Sequence, residues 1–198
     1  MYRSRLLVSP PGTETRPTSD RLRETLFNIL AARRVGGLQG AKFVDLYAGT
    51  GAVGIEAISR EAAHCWFAEK AEPALKALRK NLATLKVGAP LYTVDERGTG
   101  SLLAGLAKVS GGLDVVYLDP PYEAETEYSG TLGLLGSASG RKMIAPGGVV
   151  VAEFATKAKF RLAERYGALV RTRTYKQGET SLGFYEVAEP DGGNGLPV

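Results

Sequence analysis

The side chains best suited to chemistry sit in "VYLDPPY", residues 116–122, where an apolar strand runs into an acid, two prolines and a tyrosine. Proline has no backbone N–H and fixes φ, and a residue that precedes proline is pushed to an extended conformation. Asp119-Pro120-Pro121 therefore reads as a stiff loop with acceptors to offer and two donors missing. Such a loop suits a substrate that presents N–H groups, above all an exocyclic amine. The lone pair of that amine is delocalised into its ring, so the nitrogen is a poor nucleophile. Two acceptors can hold it so that the nitrogen pyramidalises, its lone pair turns toward an electrophile, and the charge developing on it is stabilised. Asp119 can also take the proton as a general base. Tyr122 offers a flat face for a base, and such stacking is worth about 1–3 kcal/mol in single-strand binding. A plain strand stop followed by turn residues would explain the same letters, and a second motif decides against it.

That motif is "FVDLYAGTGAVGIEA", with Gly49-x-Gly51-x-x-Gly54 between a strand and a helix. Glycines let the backbone approach a ligand, and the helix N-terminus presents free N–H groups to its anionic part. Glu69, at the end of the next strand and 20 residues after Gly49, is placed to bind ribose hydroxyls with its two oxygens. The pattern fits NAD as well as S-adenosylmethionine. Asp45, four residues before the first glycine, favours the latter, because here an acid can receive the cationic amino group of a methionine moiety. Its plainer reading is a strand-end carboxylate bonded to neighbouring amides. No G-x-x-x-x-G-K-[ST] is present, which argues against a P-loop.

Composition narrows the alternatives. One cysteine, Cys65, excludes an internal disulfide, and with His64 as the only histidine no Cys/His zinc cluster can be assembled; both read as structural, and no metal is expected. No stretch approaches the roughly 18–20 apolar residues of a membrane helix, and "MYRSRLLVSPPG" lacks the apolar run of a secretion signal, so a soluble, cytoplasmic protein without a membrane partner is expected. The net charge of +4 is unevenly spread. Residues 1–42 hold eight basic groups against three acidic, whereas the other 156 residues hold 17 against 18. Seven of those eight cations are arginine, the residue best shaped for phosphate, so a nucleic-acid partner is expected at the N-terminal arm.

The elements that must position these residues alternate in type. "TRPTSDRLRETLFNILAARR" carries Leu22, Leu26, Ile29 and Leu30 as a helical stripe, with Thr18, Ser19 or Asp20 as cap and Gly36-Gly37 as stop. "AKFVDLY", "HCWFAE", "APLYTVD", "LDVVYLD" and "GGVVVAEF" read as strands, separated by helical segments. Short, continuous apolar strands alternating with helices indicate a parallel sheet covered on both faces. "ALVRTRTYKQGETSLGFYEV", with a turn at Gly178, should close it with an antiparallel hairpin. Residues 1–37 are expected to form a basic arm and helix, 38–188 the catalytic domain, and 189–198 a flexible Gly/Pro-rich tail. Ligands collect beyond the C-terminal strand ends of such a sheet, so Gly49–Gly51, Glu69 and Asp119 should face one crevice.

Taken together, "TRPTSDRLRETLFNIL", "VDLYAGTGAVGIEAISREA", "VYLDPPY" and "TSLGFYEV" resemble the RsmD-type bacterial 16S ribosomal RNA (guanine-N2)-methyltransferases, in order from about Pro10 to Val187. The resemblance implies an α/β, Rossmann-like class I S-adenosylmethionine-dependent methyltransferase fold, with a mostly parallel seven-stranded sheet, a C-terminal antiparallel hairpin and helices on both faces. It implies that Asp45, Tyr47, Ala48, Gly49, Thr50, Gly51 and Gly54 hold the methionine end of S-adenosyl-L-methionine, that Glu69 with Lys70 holds the ribose, and that Asp119, Pro120, Pro121 and Tyr122 grip guanine. Asp95 is assigned to adenine, in a "VDERGTGSLL" stretch that departs from the family pattern. Arg16 and Thr18 border the site, and Arg3, Arg5, Arg21 and Arg23 complete an RNA-binding arm for the small ribosomal subunit. The family's additional strand and basic turn lie before the segment corresponding to "SRLLVSPPG", almost where this sequence begins, so a reduced RNA-docking edge or a misassigned start is expected; Glu123, Glu125 and Glu127 would repel RNA if they faced the entrance, so RNA docking is expected at the N-terminal arm. Amino-methylation of DNA adenine or cytosine or of a glutamine amide uses the same loop logic. An NAD-dependent oxidoreductase shares the glycine loop but gives DPPY no role, and a non-catalytic RNA-binding protein is the remaining alternative.

Overall fold

The computed structural model describes residues 20–109, 111–121 and 124–188. They form α1 (Asp20–Ala32), β1 (Lys42–Leu46), α2 (Ala52–Ser59), β2 (His64–Ala68), α3 (Glu72–Thr84), β3 (Tyr92–Asp95), α4 (Thr99–Leu106), β4 (Leu113–Leu118), α5 (Glu125–Gly136), β5 (Ile144–Ala155), β6 (Arg165–Tyr166), β7 (Leu169–Gln177) and β8 (Thr180–Val187). All strands belong to one sheet, in the order β3-β2-β1-β4-β5-β8-β7-β6. The first five run parallel, and β8, β7 and β6 continue antiparallel. The sheet thus has eight strands where seven are expected. The extra one is a two-residue piece folded back on β7 through Gly167 at φ +59°, too short to leave an alternation in the sequence.

The inner parallel strands β1 and β4 and the central part of β5 are buried on both faces, which is why they read as continuous apolar runs, whereas the edge strand β3 is partly exposed. Phe43, Val115, Val149 and Val151 meet α1, α2 and α3 on one face, whereas Val44, Val116, Val150 and Ala152 meet α4 and α5 on the other. In α1 the stripe Leu22, Leu26 and Leu30 is fully buried together with Phe27, which stacks on Phe43 with ring centroids 6.1 Å apart. Each such leucine contributes about 1.5–3 kcal/mol. Arg34, just after α1, pairs with Asp114, whose other oxygen accepts the Lys42 N–H at 2.8 Å. This ties the C-terminal end of α1 to the edge where β1 and β4 begin. The N-terminal end of the helix therefore points to the edge where they end, the edge of the expected crevice.

Some boundaries differ from the expected ones. The helical segment expected between the "LDVVYLD" and "GGVVVAEF" strands is split into α5 and a short 3₁₀ turn, Gly140–Met143. Gly136 lies against β6 so closely that a Cβ there would stand 1.7 Å from the Tyr166 carbonyl oxygen. Of the expected α1 caps, Thr18 and Ser19 lie outside the described residues, and Asp20 is the first helical residue. His64 bonds Pro90 O and Thr93 Oγ1, both at 3.0 Å, and the Cys65 thiol is buried under α2, as structural roles require. Among the described residues no helix is long and apolar enough to cross a membrane.

Candidate active site

The glycine loop joins β1 to α2, and its three glycines serve different ends. A Cβ on Gly54 would come within 2.3 Å of the Phe67 ring and 2.6 Å of Cys65 Sγ, and one on Gly51 within 2.3 Å of Leu78, so both permit close packing of α2 and α3. Gly49 instead has φ +56° and open space where a side chain would be. Neighbouring groups hold this bend. Ala48 N–H bonds the Ala68 carbonyl at 2.9 Å, and Asn81 Nδ2, from α3, bonds the Thr50 carbonyl at 3.0 Å. Glu69 reaches under the loop, one oxygen accepting Gly49 N–H at 2.9 Å and the other the N–H groups of Lys70 and Ala71 at 2.8 Å each. A carboxylate has about four acceptor sites, so Glu69 keeps one for a ligand hydroxyl. Lys70 takes part through its backbone. The Tyr47 side chain turns away, its hydroxyl on Glu127 at 2.7 Å and Thr131 at 3.0 Å, so only its backbone, at φ +61°, shapes the loop. Glu127 is thereby drawn toward the face of the sheet that carries α5.

Asp45, Asp119 and Glu153 converge beside this loop. Strand alternation puts Asp45 on the face that carries α1–α3, like Phe43, and puts Asp119 and Glu153 there with Val115, Tyr117, Val149 and Val151. The register Leu118↔Ala152 sets Asp119 next to Glu153 at the following step. Asp45 and Glu153 are each 2% exposed. Asp45 accepts the Gly54 N–H at 2.8 Å, the amide bond expected of a strand-end carboxylate, and Tyr117 OH donates to Glu153 Oε2. Burial, opposed by that amide and reinforced by the charges of Glu69 and Glu153, pushes the Asp45 carboxyl up to about 8. Burial, then the charges of Glu153 and Asp45, raises Asp119 well above the usual carboxyl range. Among the described residues no cation figures among the influences on either Asp45 or Asp119. These two acids are thus short of positive charge, which a cationic ligand would supply.

The rest of the expected site divides. Asp119 N–H still bonds the Leu46 carbonyl at 3.4 Å, so the acid stands at the last rung of β4. Pro120 is buried, and the Pro121 carbonyl accepts Ala124 N–H at 3.2 Å, so that acceptor is spent on the turn into α5. Asp95 accepts bonds from Arg97 N, Nε and Nη2 and from Ser101 Oγ at 2.9–3.1 Å, which fills its four sites; the Arg97 side chain first, helped by the Arg97 amide and Ser101, brings its carboxyl down to about 2. It borders a cleft of about 440 Å³ with Trp66, Val94 and Leu102. Arg21 is exposed on α1, and Arg23 pairs with Asp20 at 2.7 Å. Arg3, Arg5, Arg16, Thr18, Tyr122 and Glu123 lie outside the described residues. Sequence reasoning missed Asn81 and Glu153; the signal for each is a lone polar residue in an apolar pattern, within the Leu78–Leu82 stripe and within "VVVAEF".

A parallel sheet closed by an antiparallel hairpin, with a glycine loop after β1, an acid after β2 and Asp-Pro-Pro after β4, defines the class I S-adenosylmethionine-dependent methyltransferase fold. Within that class the chain belongs to the family described as "Conserved hypothetical protein 95", whose model matches residues 1–186. It is 34% identical over 186 residues to "Putative rRNA methyltransferase YlbH" of Bacillus subtilis (strain 168), covering 93% of this chain and 94% of that one. Over 121 residues it is 39% identical to "Ribosomal RNA small subunit methyltransferase D" of Escherichia coli (strain K12), which spans 61% of this chain and 57% of that protein. Among solved structures, "Putative methyltransferase yhhF from Escherichia coli" superposes with a TM-score of 0.72 at 29% identity, covering 94% of this chain and 93% of the other.

Proposed function

We propose that this chain transfers a methyl group from S-adenosylmethionine to the exocyclic N2 of a guanine in 16S ribosomal RNA, with the small ribosomal subunit as substrate. The observation that carries this reading is the pair of acids Asp45 and Asp119, converging on the same face at the strand ends with no cation acting on either among the described residues, beside an open glycine loop. The names of the relatives in Bacillus subtilis and Escherichia coli supply the ribosomal RNA, and the resemblance to RsmD-type enzymes supplies guanine.

The residues present fit the cofactor, which supplies a methyl group on a positively charged sulfur. Asp45 meets the ammonium of its methionine end, the backbone of Tyr47–Gly51 lies along it, and the remaining site of Glu69 takes a ribose hydroxyl. Adenine rests toward the end of β3, where apolar walls and backbone receive it, since the Asp95 carboxylate is occupied. Asp119, held at the sheet edge, and the Pro120 carbonyl accept the two N2–H bonds, and Tyr122 covers the ring. S-adenosylmethionine would supply the methyl group, its sulfur leaving as the thioether, and positive charge would build on N2. The Asp119 carboxylate stabilises it and takes the proton released.

Incubating the protein with labelled S-adenosylmethionine and small subunits that lack the modification should yield N2-methylguanosine by mass spectrometry of the RNA. N6-methyladenine alone would overturn the base assignment. Calorimetry should show binding of S-adenosylhomocysteine and none of NAD.

A further inference from the structure

Outside the strand-end crevice, a groove of about 510 Å³ runs between α1 and β7. One wall is a single edge of α1, where Thr25, Asn28, Ala32 and Arg33 follow at helical spacing, and Arg21 extends this edge one turn upward. The other wall is Arg173 and Tyr175. A β-bulge makes this wall. The register of β7 against β8 slips between Arg171 and Arg173, so Arg171 turns to Glu164 and the Leu162 carbonyl while Arg173 faces α1. Arg33 is held by Glu186 at 3.1 Å; Arg173 enters no ion pair among the described residues. Glu24, three residues from Arg21 and four from Asn28, borders this edge, and the groove offers a guanidinium with no ion pair among the described residues, a phenol, neutral polar groups and the apolar Ile29 and Ala32.

The groove leads to the crevice. Gln177, at the end of β7, pairs with Thr180, and Thr180 pairs with Ala155 at the end of β5, the edge where Asp119 stands. The N-terminal end of α1 points to that same edge.

We infer that the α1–β7 groove is the track for the RNA strand flanking the target nucleotide, with Arg173 on a phosphate and Tyr175 against a sugar or base. This rests on the RNA reading above and extends it to a surface about a sheet's width from the reacting atoms. The occupant is RNA rather than an acidic protein because an exposed arginine with no ion pair among the described residues, set beside an aromatic, matches phosphate and base together.

The test uses the full chain and two probes: a single-stranded RNA from the target region and the DNA of the same sequence, each by fluorescence anisotropy over a salt series. Wild type should bind both probes with similar salt slopes, since a phosphate contact and stacking do not read the 2′-hydroxyl. Arg173→Glu should weaken RNA binding about tenfold and flatten the slope of log affinity against log salt by about one contact; Arg173→Gln should weaken it about threefold. In methyl transfer to small subunits the loss should fall on KM rather than kcat, with S-adenosylhomocysteine affinity as the check on folding. Equal RNA affinity and salt slope in Arg173→Glu would overturn the inference, as would a raised KM on subunits with unchanged binding to naked RNA, which would make a ribosomal protein the occupant. If wild type binds RNA through Arg173 yet methylates no small-subunit RNA, the groove stands and the substrate assignment fails.

Discussion

Asp45 and Asp95 stand at the C-terminal ends of two strands of the same sheet, and their surroundings are opposite. Asp95 has four hydrogen bonds and an arginine, and its carboxyl lies near 2. Asp45 is buried with one amide bond and two further acids acting on it, and its carboxyl lies near 8. The sheet edge thus has an arm that satisfies its own charge and an arm, Asp45 with Asp119, that leaves it unmet. An unmet charge deficit destabilises the folded chain, and a cationic ligand offsets it. The comparison therefore locates function where the fold is electrostatically strained.

The largest effect should come from Asp119. Asp119→Ala is expected to cut methyl transfer by about 10³-fold or more while leaving S-adenosylhomocysteine affinity within a few-fold, because the acid acts on the accepting amine and its proton. Retained turnover would remove the proposed role of this carboxylate. The same change should raise Tm at neutral pH. A carboxyl whose pKa is raised by folding binds more protons folded than unfolded, so stability declines as pH rises above the usual value of 3.8. Deleting the group removes that decline.

Asp45→Asn comes next. It removes the proposed partner of the methionine ammonium and should weaken S-adenosylhomocysteine about 10²-fold, in line with truncation of one member of a buried charge pair. The wild-type affinity should rise with pH up to about 8, since a cation selects the ionised acid. Calorimetry in buffers of different ionisation heat should count protons released on binding, and Asp45→Asn should abolish that release. Thermal stability of wild type should fall between pH 3.8 and about 8 relative to the variant. A wild-type affinity independent of pH would show that Asp45 enters binding already ionised.

How much of this was legible in the sequence follows from the same contrast. The strands read correctly because burial on both faces leaves an unbroken apolar run in "VVVAEF" and "LDVVYL". Gly49–Gly51, Glu69 and Asp119 read as facing one crevice because topology alone takes parallel strand ends to one edge. What sequence could not give was the partnership of each acid. Nothing in "VDERGTGSLL" says that Arg97 folds back on Asp95, and nothing in "VVVAEF" says that Glu153 will stand beside Asp119, because that depends on the register of β4 against β5. The two-residue β6 and the β7 bulge were likewise invisible, since both depend on pairing rather than on pattern.

Asn81→Ala should sharpen the loop side of the comparison. Asn81 is 2% exposed and its amide holds the Thr50 carbonyl from α3. Leaving a half-buried carbonyl unpaired costs about 1 kcal/mol, the low end of the range for buried groups, which should appear as a lower Tm. A loosened Gly49–Gly51 bend should weaken S-adenosylhomocysteine about tenfold, with transfer at saturating cofactor little changed.

Asp95→Asn should have the smallest effect, and its size discriminates between two accounts of the end of β3. If the carboxylate received adenine directly, the change to an amide would weaken S-adenosylhomocysteine by a factor comparable to that of Asn81→Ala. Its four acceptor sites are filled by Arg97 and Ser101, so the affinity is expected to stay within about threefold. The stability effect has the opposite pH sign from that at Asp45. A carboxyl lowered by folding stabilises above the usual value of 3.8, and that contribution fades as pH falls through about 2. Asp95→Asn should therefore lower Tm slightly at neutral pH and not at all in strong acid, whereas Asp45→Asn should raise it as the medium becomes alkaline. Because Arg97 is exposed to solvent, added salt should shrink the Asp95 effect first. The Asp45 effect, set in the buried interior, should persist.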